Sequence, residues 1–193
     1  MAVLYKNVGD GIDVDEANSS LVSTLQGFQL EAKDARQIVD SFNEVANNYA
    51  INSAGIGEAL KRSAAAFNAA NTDLNQSIAL ITAGNEIVQS PEKIGTMWQT
   101  VSARIRGTKS ELEELGESTD DVVSSSKLRE LVLGYTDIDI MKNANEYKDI
   151  YTIVKEIGNV WKDLEDIERA ALLEALAGCP IYYRDSPYVQ KCA

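Results

Sequence analysis

Residues 35–49 read ARQIVDSFNEVANNY, and the spacing of the apolar residues in this stretch decides the fold class. They recur at steps of three and four: Ala35, Ile38, Val39, Phe42, Val45, Ala46 and Tyr49. Steps of three and four place side chains on one face of a helix, whereas a half-buried strand alternates with period two. The stretch therefore predicts an amphipathic α-helix.

The same spacing recurs along most of the chain. Further stripes are Ile56, Ala59, Leu60, Ala64 and Phe67; Leu74, Ile78, Ile81 and Val88; Ile94, Met97, Trp98, Val101 and Ile105; Tyr147, Ile150, Tyr151, Val154, Ile157, Trp161 and Leu164; and Ile167, Ala171, Leu172 and Leu176. Before residue 179 the only proline is Pro91, so little interrupts helix formation. We predict an all-α protein whose amphipathic hairpins pack as a bundle or an extended helical array.

Capping residues mark the expected helix boundaries. The run Ser90-Pro91-Glu92 and the pair Thr72-Asp73 are typical of helix starts, and Gly107 and Gly178 are typical of helix ends. Between them lies a short Glu-rich helix with Leu112 and Leu115 turned inward.

Composition divides the chain into four regions. A helical-hairpin region is expected over residues 1–115, a Ser/Gly/acidic linker over 116–126, a second helical region over 127–178 and an irregular tail over 179–193. The tail holds Pro180 and Pro187, and its two cysteines, Cys179 and Cys192, are interpreted as incidental thiols rather than a disulfide or redox pair.

Charge and histidine content exclude several functions. Eighteen basic and 30 acidic residues give 18 − 30 = −12, which disfavours a nucleic-acid footprint and steering to anionic lipid. The chain has no histidine, so no Ser-His-Asp or Cys-His constellation and no His-containing zinc site can form within it. No apolar run approaches the ~20 residues of a membrane span, and the start carries no signal-peptide pattern.

Three groups of residues have the types or spacing that a catalytic or metal site uses. Ser124 and Lys127 fit the Ser-x-x-Lys spacing of some serine hydrolases, but the companion motifs are missing and the hit lies in the linker. Two acidic groups could hold calcium, although neither has EF-hand spacing: Asp10, Asp13, Asp15 and Glu16; and Asp137, Asp139 and Glu146. A helix start explains the first group better, and solvated side chains explain the second.

Other candidates also have simpler explanations. Trp98 and Trp161 lie on apolar stripes and are expected to be core anchors rather than ligand stackers. The run Gly9-Asp10-Gly11 lacks the third glycine of a dinucleotide fingerprint. The basic residues Lys61, Arg62, Arg104, Arg106 and Lys109 are expected to pair with acids, with a basic spot for a protein partner as the alternative. We therefore predict no enzyme activity, catalytic residue, metal site or cofactor.

A series of longer blocks carries the functional hypothesis. They are STLQGF at 23–28, IVDSFNEVANN at 38–48, GIGEALKRS at 55–63, SIALITAGNE at 77–86, RIRG at 104–107 and LLEALAG at 172–178. In this order they resemble the tail tape measure family of tailed bacteriophages, in its core or minor tail protein region. The resemblance covers residues 12–178.

The resemblance implies a structural protein in the lumen of the virion tail, present in the host bacterial cytoplasm during assembly. Tube subunits polymerise around such proteins, whose length sets the tail length. The implied partners are the tail tube protein, tail assembly chaperones and distal tail or baseplate proteins, with self-association through helices a further possibility. The alternative is a helical membrane-active or protein-interaction module of a larger protein, without a ruler function.

The length of the chain departs from this family. Members are several times longer, and 193 residues in one continuous helix would span only about 290 Å. After Gly178 the helical period is also lost. We therefore expect a fragment, a truncated prophage remnant or one piece of a larger tape measure.

Overall fold

A computed structural model describes residues 13–116, 119–120 and 122–178 of the chain. These residues fall into two compact units, of which the first ends at Gln99 and the second begins at Thr100. The all-α prediction is confirmed, because every regular element in the described ranges is a helix except for one two-stranded hairpin. The predicted tail, residues 179–193, lies outside the described residues.

The first unit consists of consecutive helices joined by short turns. They are α1 (Val14–Gly27), a 3-10 turn (Ala32–Asp34), α2 (Ala35–Asn48), α3 (Ser53–Ala69), α4 (Leu74–Val88) and the start of α5 (Pro91–Arg106). The second unit follows from Thr100 and contains α6 (Lys109–Glu114), α7 (Ser125–Thr136), strands β1 (Met141–Asn143) and β2 (Glu146–Tyr147), α8 (Ile150–Val160) and α9 (Asp166–Ala177).

The predicted boundary signals act as caps. Asp73 accepts a hydrogen bond from the backbone N–H of Gln76 at 2.8 Å, and the Gln76 side chain accepts the N–H of Asp73 at 3.0 Å. This reciprocal pair satisfies two backbone donors at the start of α4. Pro91 is the first residue of α5, where its missing N–H costs nothing. Gly178 ends α9 with φ of +71°, in the left-handed region that glycine adopts easily.

Helix α3 forms the centre of the first unit, where it packs against α1, α2 and α4. Its apolar stripe is buried, as the spacing predicts, and Phe67 and Leu60 are fully covered. Helix α1 approaches α3 closely at Gly27, where a Cβ would lie 2.5 Å from the Cβ of Ala64. In the second unit α9 packs on α7.

Two parts of the predicted stripes are wrong. The stripe from Tyr147 to Leu164 is not one helix: Tyr147 belongs to β2, and α8 ends before Trp161. The reason is local, because Asp149 caps α8 by accepting hydrogen bonds from the backbone N–H and the hydroxyl of Thr152, both at 2.7 Å. Ile167 was expected on the inner face of the last helix, yet it is 74% exposed. The buried residues of α9 are Leu172 and Ala175.

Candidate protein-docking groove

An apolar groove lies between α2 and α4, both of which pack on α3. Its volume is about 420 Å³, and its lining comes from two rows of side chains. Ser41, Val45 and Tyr49 form the row from α2 and its C-cap, and Asn75, Ile78, Ala79, Thr82, Ala83 and Glu86 form the row from α4. Steps of three and four within each row align the side chains along the helix axes.

The groove surface is apolar, and its lining residues differ in how deeply they are buried. Ile78 and Thr82 are buried, Val45 is half-buried, and the small side chains of Ala79 and Ala83 are exposed. The Thr82 hydroxyl donates to the backbone carbonyl of Ile78 at 2.8 Å, so its hydrogen-bonding need is met within its own helix. The groove therefore offers methyl groups and room for an entering side chain.

The basic side chains near the groove are paired with acids, whereas an acidic side chain in its lining is not. Toward the start of α2, Lys33 forms an ion pair with Glu31 at 2.9 Å and Arg36 lies 3.8 Å from Asp40. At the other end of the α4 row, Glu86 forms no ion pair with any residue that the structure describes. The groove therefore carries an uncompensated negative end.

Sequence reasoning missed this groove, although a weak signal exists. Ala79 and Ala83 are small residues at a four-residue spacing on α4, and such pairs leave space for a helix to approach. This spacing predicts only that one face of α4 carries small side chains. That α2 borders it depends on how both helices pack against α3.

The candidate catalytic and metal residues are placed as caps and ion pairs. Ser124 is the N-cap of α7, and its hydroxyl oxygen accepts a hydrogen bond from the backbone N–H of Lys127 at 3.3 Å. The contact between the two residues is therefore a helix cap that uses the backbone of Lys127. Asp13 caps α1 by accepting the N–H of Glu16, as expected for a helix start. No three acidic or cysteine side chains in the described ranges lie close enough to hold a metal ion together. Five further candidate residues lie outside those ranges: Gly9, Asp10, Gly11, Cys179 and Cys192.

Of the tryptophans, only Trp98 is a fully packed anchor. It is 7% exposed, and its ring centroid lies 6.0 Å from that of Phe67, which confirms its predicted role. Trp161 is half-buried at the end of α8, so the expectation of a second core anchor is met only in part.

The basic clusters separate into two kinds. Arg62 contacts Glu58 at 3.1 Å and Glu92 at 2.8 Å, and Lys61 also approaches Glu58, which confirms the expected pairing with acids. Arg104 and Arg106 form no ion pair with any residue that the structure describes, so their pairing with acids stays a prediction.

Arg104 is buried and Arg106 is half-buried. Arg104 is 3% exposed, its Nε and Nη1 find no hydrogen-bond partner in the described part of the chain, and its guanidinium packs on Gly178. Arg106 lies 4.8 Å above the ring of Tyr147, a cation–π contact. Burial lowers the pKa of the Arg106 guanidinium, and Tyr147 partly opposes that shift.

Asp139 keeps a solvent-accessible side chain, as expected, and it also forms hydrogen bonds at the start of the β-hairpin. Its carboxylate accepts hydrogen bonds from Arg129 Nε at 2.7 Å and from the backbone N–H of Met141 at 2.9 Å. The Arg129 hydrogen bond is the largest cause that lowers the pKa of Asp139 from 3.8 to about 2. Glu146 is paired in the same hairpin with Lys142 at 3.1 Å.

The Asp139 pair predicts a measurable pH dependence. Because the folded pKa is depressed, the contribution to stability is present above about pH 4 and is lost as the pH falls toward 2. In a carboxyl-carbon NMR titration, Arg129→Gln should raise the pKa of Asp139 toward 3.8. Lys127→Gln, on the same helix, is the control and should leave it unchanged. An equal pKa in the wild type and Arg129→Gln would contradict the assignment.

Comparison with known proteins adds the family. Residues 1–178 match the family described as phage-related minor tail protein. The chain belongs to the phage-related minor tail protein family. This confirms the coarser part of the resemblance: the protein is a structural component of a phage tail, and its partners are tail-related. No solved structure matches the chain.

Membership of the phage-related minor tail protein family agrees with a candidate site that is a surface rather than a reaction centre. Within the described residues, the groove between α2 and α4 is open to the surface, is lined mainly by methyl groups and has Glu86 at one end. Among the described helices, none is both long enough and apolar enough to cross a membrane.

Proposed function

We propose that this chain is a core segment of a tail tape measure protein, which templates the polymerisation of the tail tube and sets its length. In this role it lies in the tail lumen, after assembly in the host cytoplasm. Its direct partners are then the tail tube protein, tail assembly chaperones and distal tail or baseplate proteins. The role requires binding and length but no bond-making chemistry.

The observation that carries the proposal is helix following helix through the described ranges of a chain from the minor tail protein family. A helix rises 1.5 Å per residue, so residues convert to length in fixed proportion. The longest helix among the described residues, Ser53–Ala69, has 17 residues and spans about 26 Å. A ruler of tail size therefore needs many such elements in series or in extended form.

The absence of histidine and the capping role of Ser124 support a non-enzymatic role. With no histidine, the commonest general base near neutral pH is missing from the chain. The Ser-x-x-Lys hit, which was the nearest approach to a catalytic motif, is accounted for by helix capping.

A second candidate is a helical interaction module without ruler function. The groove between α2 and α4 favours it, because a binding surface serves a tail protein whether or not its length is measured. The two candidates differ in what a change of chain length does to the tail.

The test changes length in both directions. Deleting residues 35–69 removes 35 residues, so a ruler that counts fully helical residues should shorten the tail by about 50 Å. Duplicating the same residues should lengthen it by about the same amount. Tail lengths are measured on phage particles by electron microscopy.

The duplication keeps the test decisive if the deletion prevents tail formation. Ile87→Ala, a change at a side chain that is 82% exposed, is the control and should leave the length unchanged. Tails of wild-type length in the duplication variant would overturn the ruler function and leave the interaction module as the better account.

A further inference from the structure

We propose that the groove between α2 and α4 binds an amphipathic α-helix of another polypeptide, whose apolar face is flanked by lysine or arginine. This goes beyond the tail-length role, because it assigns a partner chemistry to a specific surface. It also stands if the chain is an interaction module with no ruler function.

The shape of the groove favours a helix as the occupant. From Asn75 to Glu86 the α4 row advances 11 residues, or about 16 Å, which is about three helical turns. Helix-in-groove recognition uses apolar anchors at steps of three and four, and the two rows of the groove have the same spacing. A strand would instead need an open sheet edge, and the lining comes from two helices and a C-cap.

Small and apolar side chains supply the attraction. Ala79 and Ala83 permit close approach, and the Tyr49 ring, which is 55% exposed, borders the same groove. Covering these side chains removes apolar surface from water, which is the dominant favourable term in most protein association.

Charge decides the flanks of the occupant. Lys33 and Arg36, beside the groove, are paired with Glu31 and Asp40, whereas Glu86 in the groove lining carries no ion pair with a described residue. A cationic flank would meet the Glu86 carboxylate, and an acidic flank would be repelled by it. A second copy of this chain is a poor occupant, because each copy carries a net charge of −12.

The experiment uses the full 193-residue chain and two synthetic helical peptides. Both peptides carry the same leucine and alanine face, with lysine flanks in one and glutamate flanks in the other. Binding is measured by fluorescence anisotropy at low salt. We expect the lysine-flanked peptide to bind at least about tenfold more tightly, and added salt to weaken it.

Two pairs of variants locate the binding site. Ala83→Lys places a long cationic side chain in the groove and should weaken binding about tenfold or more, whereas Ala69→Lys, at an exposed residue outside the lining, should not. Glu86→Gln should weaken binding about two- to fivefold, whereas Glu130→Gln, on an exposed part of α7, should not. Circular dichroism confirms that each variant is folded.

Several results would overturn the proposal. They are equal binding of both peptides, no binding of either, a preference for the glutamate-flanked peptide, and an Ala83→Lys effect no larger than that of Ala69→Lys. Self-association in sedimentation that Ala83→Lys abolishes, without peptide binding, would assign the groove to a second copy instead. None of these results bears on tail length, so failure here is distinct from failure of the ruler function.

Discussion

Phe67→Ala is expected to lower the free energy of unfolding of the first unit by about 3–5 kcal/mol. The side chain is fully buried on the central helix α3, and its ring packs at a tilt of 38° against Trp98. Truncation loses the transfer free energy of the ring and leaves a cavity that its neighbours fill only in part. Since a typical domain is stable by only about 5–15 kcal/mol, a large share of the stability is at stake.

Urea unfolding followed by tryptophan fluorescence measures this effect. A Trp161→Phe background leaves Trp98 as the single tryptophan, next to the substituted site. Ile87→Ala is the control, because Ile87 is 82% exposed and its truncation should change stability by less than about 0.5 kcal/mol. A Phe67→Ala effect below about 1 kcal/mol would show that α3 is not the centre of the first unit.

Gly95→Ala should destabilise the protein by about 1–3 kcal/mol, against the trend of this substitution in helices. In a helix interior alanine is normally better than glycine by about 1 kcal/mol. Here a Cβ at residue 95 would lie 2.5 Å from the carbonyl oxygen of Ala59 and 3.0 Å from its Cα. Those atoms belong to the backbone of α3, so the clash is relieved only by moving a helix.

The matched control is the same substitution at a glycine with open space. Gly158 lies within α8, and a Cβ there would meet no atom within 4 Å. Gly158→Ala should therefore raise the melting temperature while Gly95→Ala lowers it, as measured by thermal circular dichroism. A rise in both variants would contradict the close approach of α5 to α3.

The elements that could be predicted are those whose signals are local in sequence. The cap at Asp73 joins residues three apart, Pro91 fixes its own backbone, and Gly178 adopts a left-handed conformation by itself. Such interactions form within one helical turn, so the sequence of that turn is sufficient. The buried face of α3 could be predicted for the same reason, because the period of its apolar residues alone defines that face.

The stripe from Tyr147 is wrong because the Asp149 cap and the β-hairpin, both formed over short stretches of chain, compete with the apolar period. The apolar period runs through Tyr147, yet this residue pairs with Met141 in the hairpin that Arg129 and Asp139 support. Arg104 illustrates a different limit, that of packing between residues far apart in the chain. Its burial against Gly178, 74 residues away, cannot be inferred from its neighbours.

The amino-acid sequence by itself determined that this chain is helical, where α4 and α5 begin and α5 and α9 end, and that histidine-dependent chemistry is excluded. Those properties follow from composition and from contacts within a few residues. Only the tertiary structure decided the hairpin, the buried arginine and the groove between α2 and α4. The buried arginine and the groove depend on side chains far apart in sequence, which meet because of how whole helices pack. The hairpin depends on contacts over six to ten residues, which the period of a single helix does not encode.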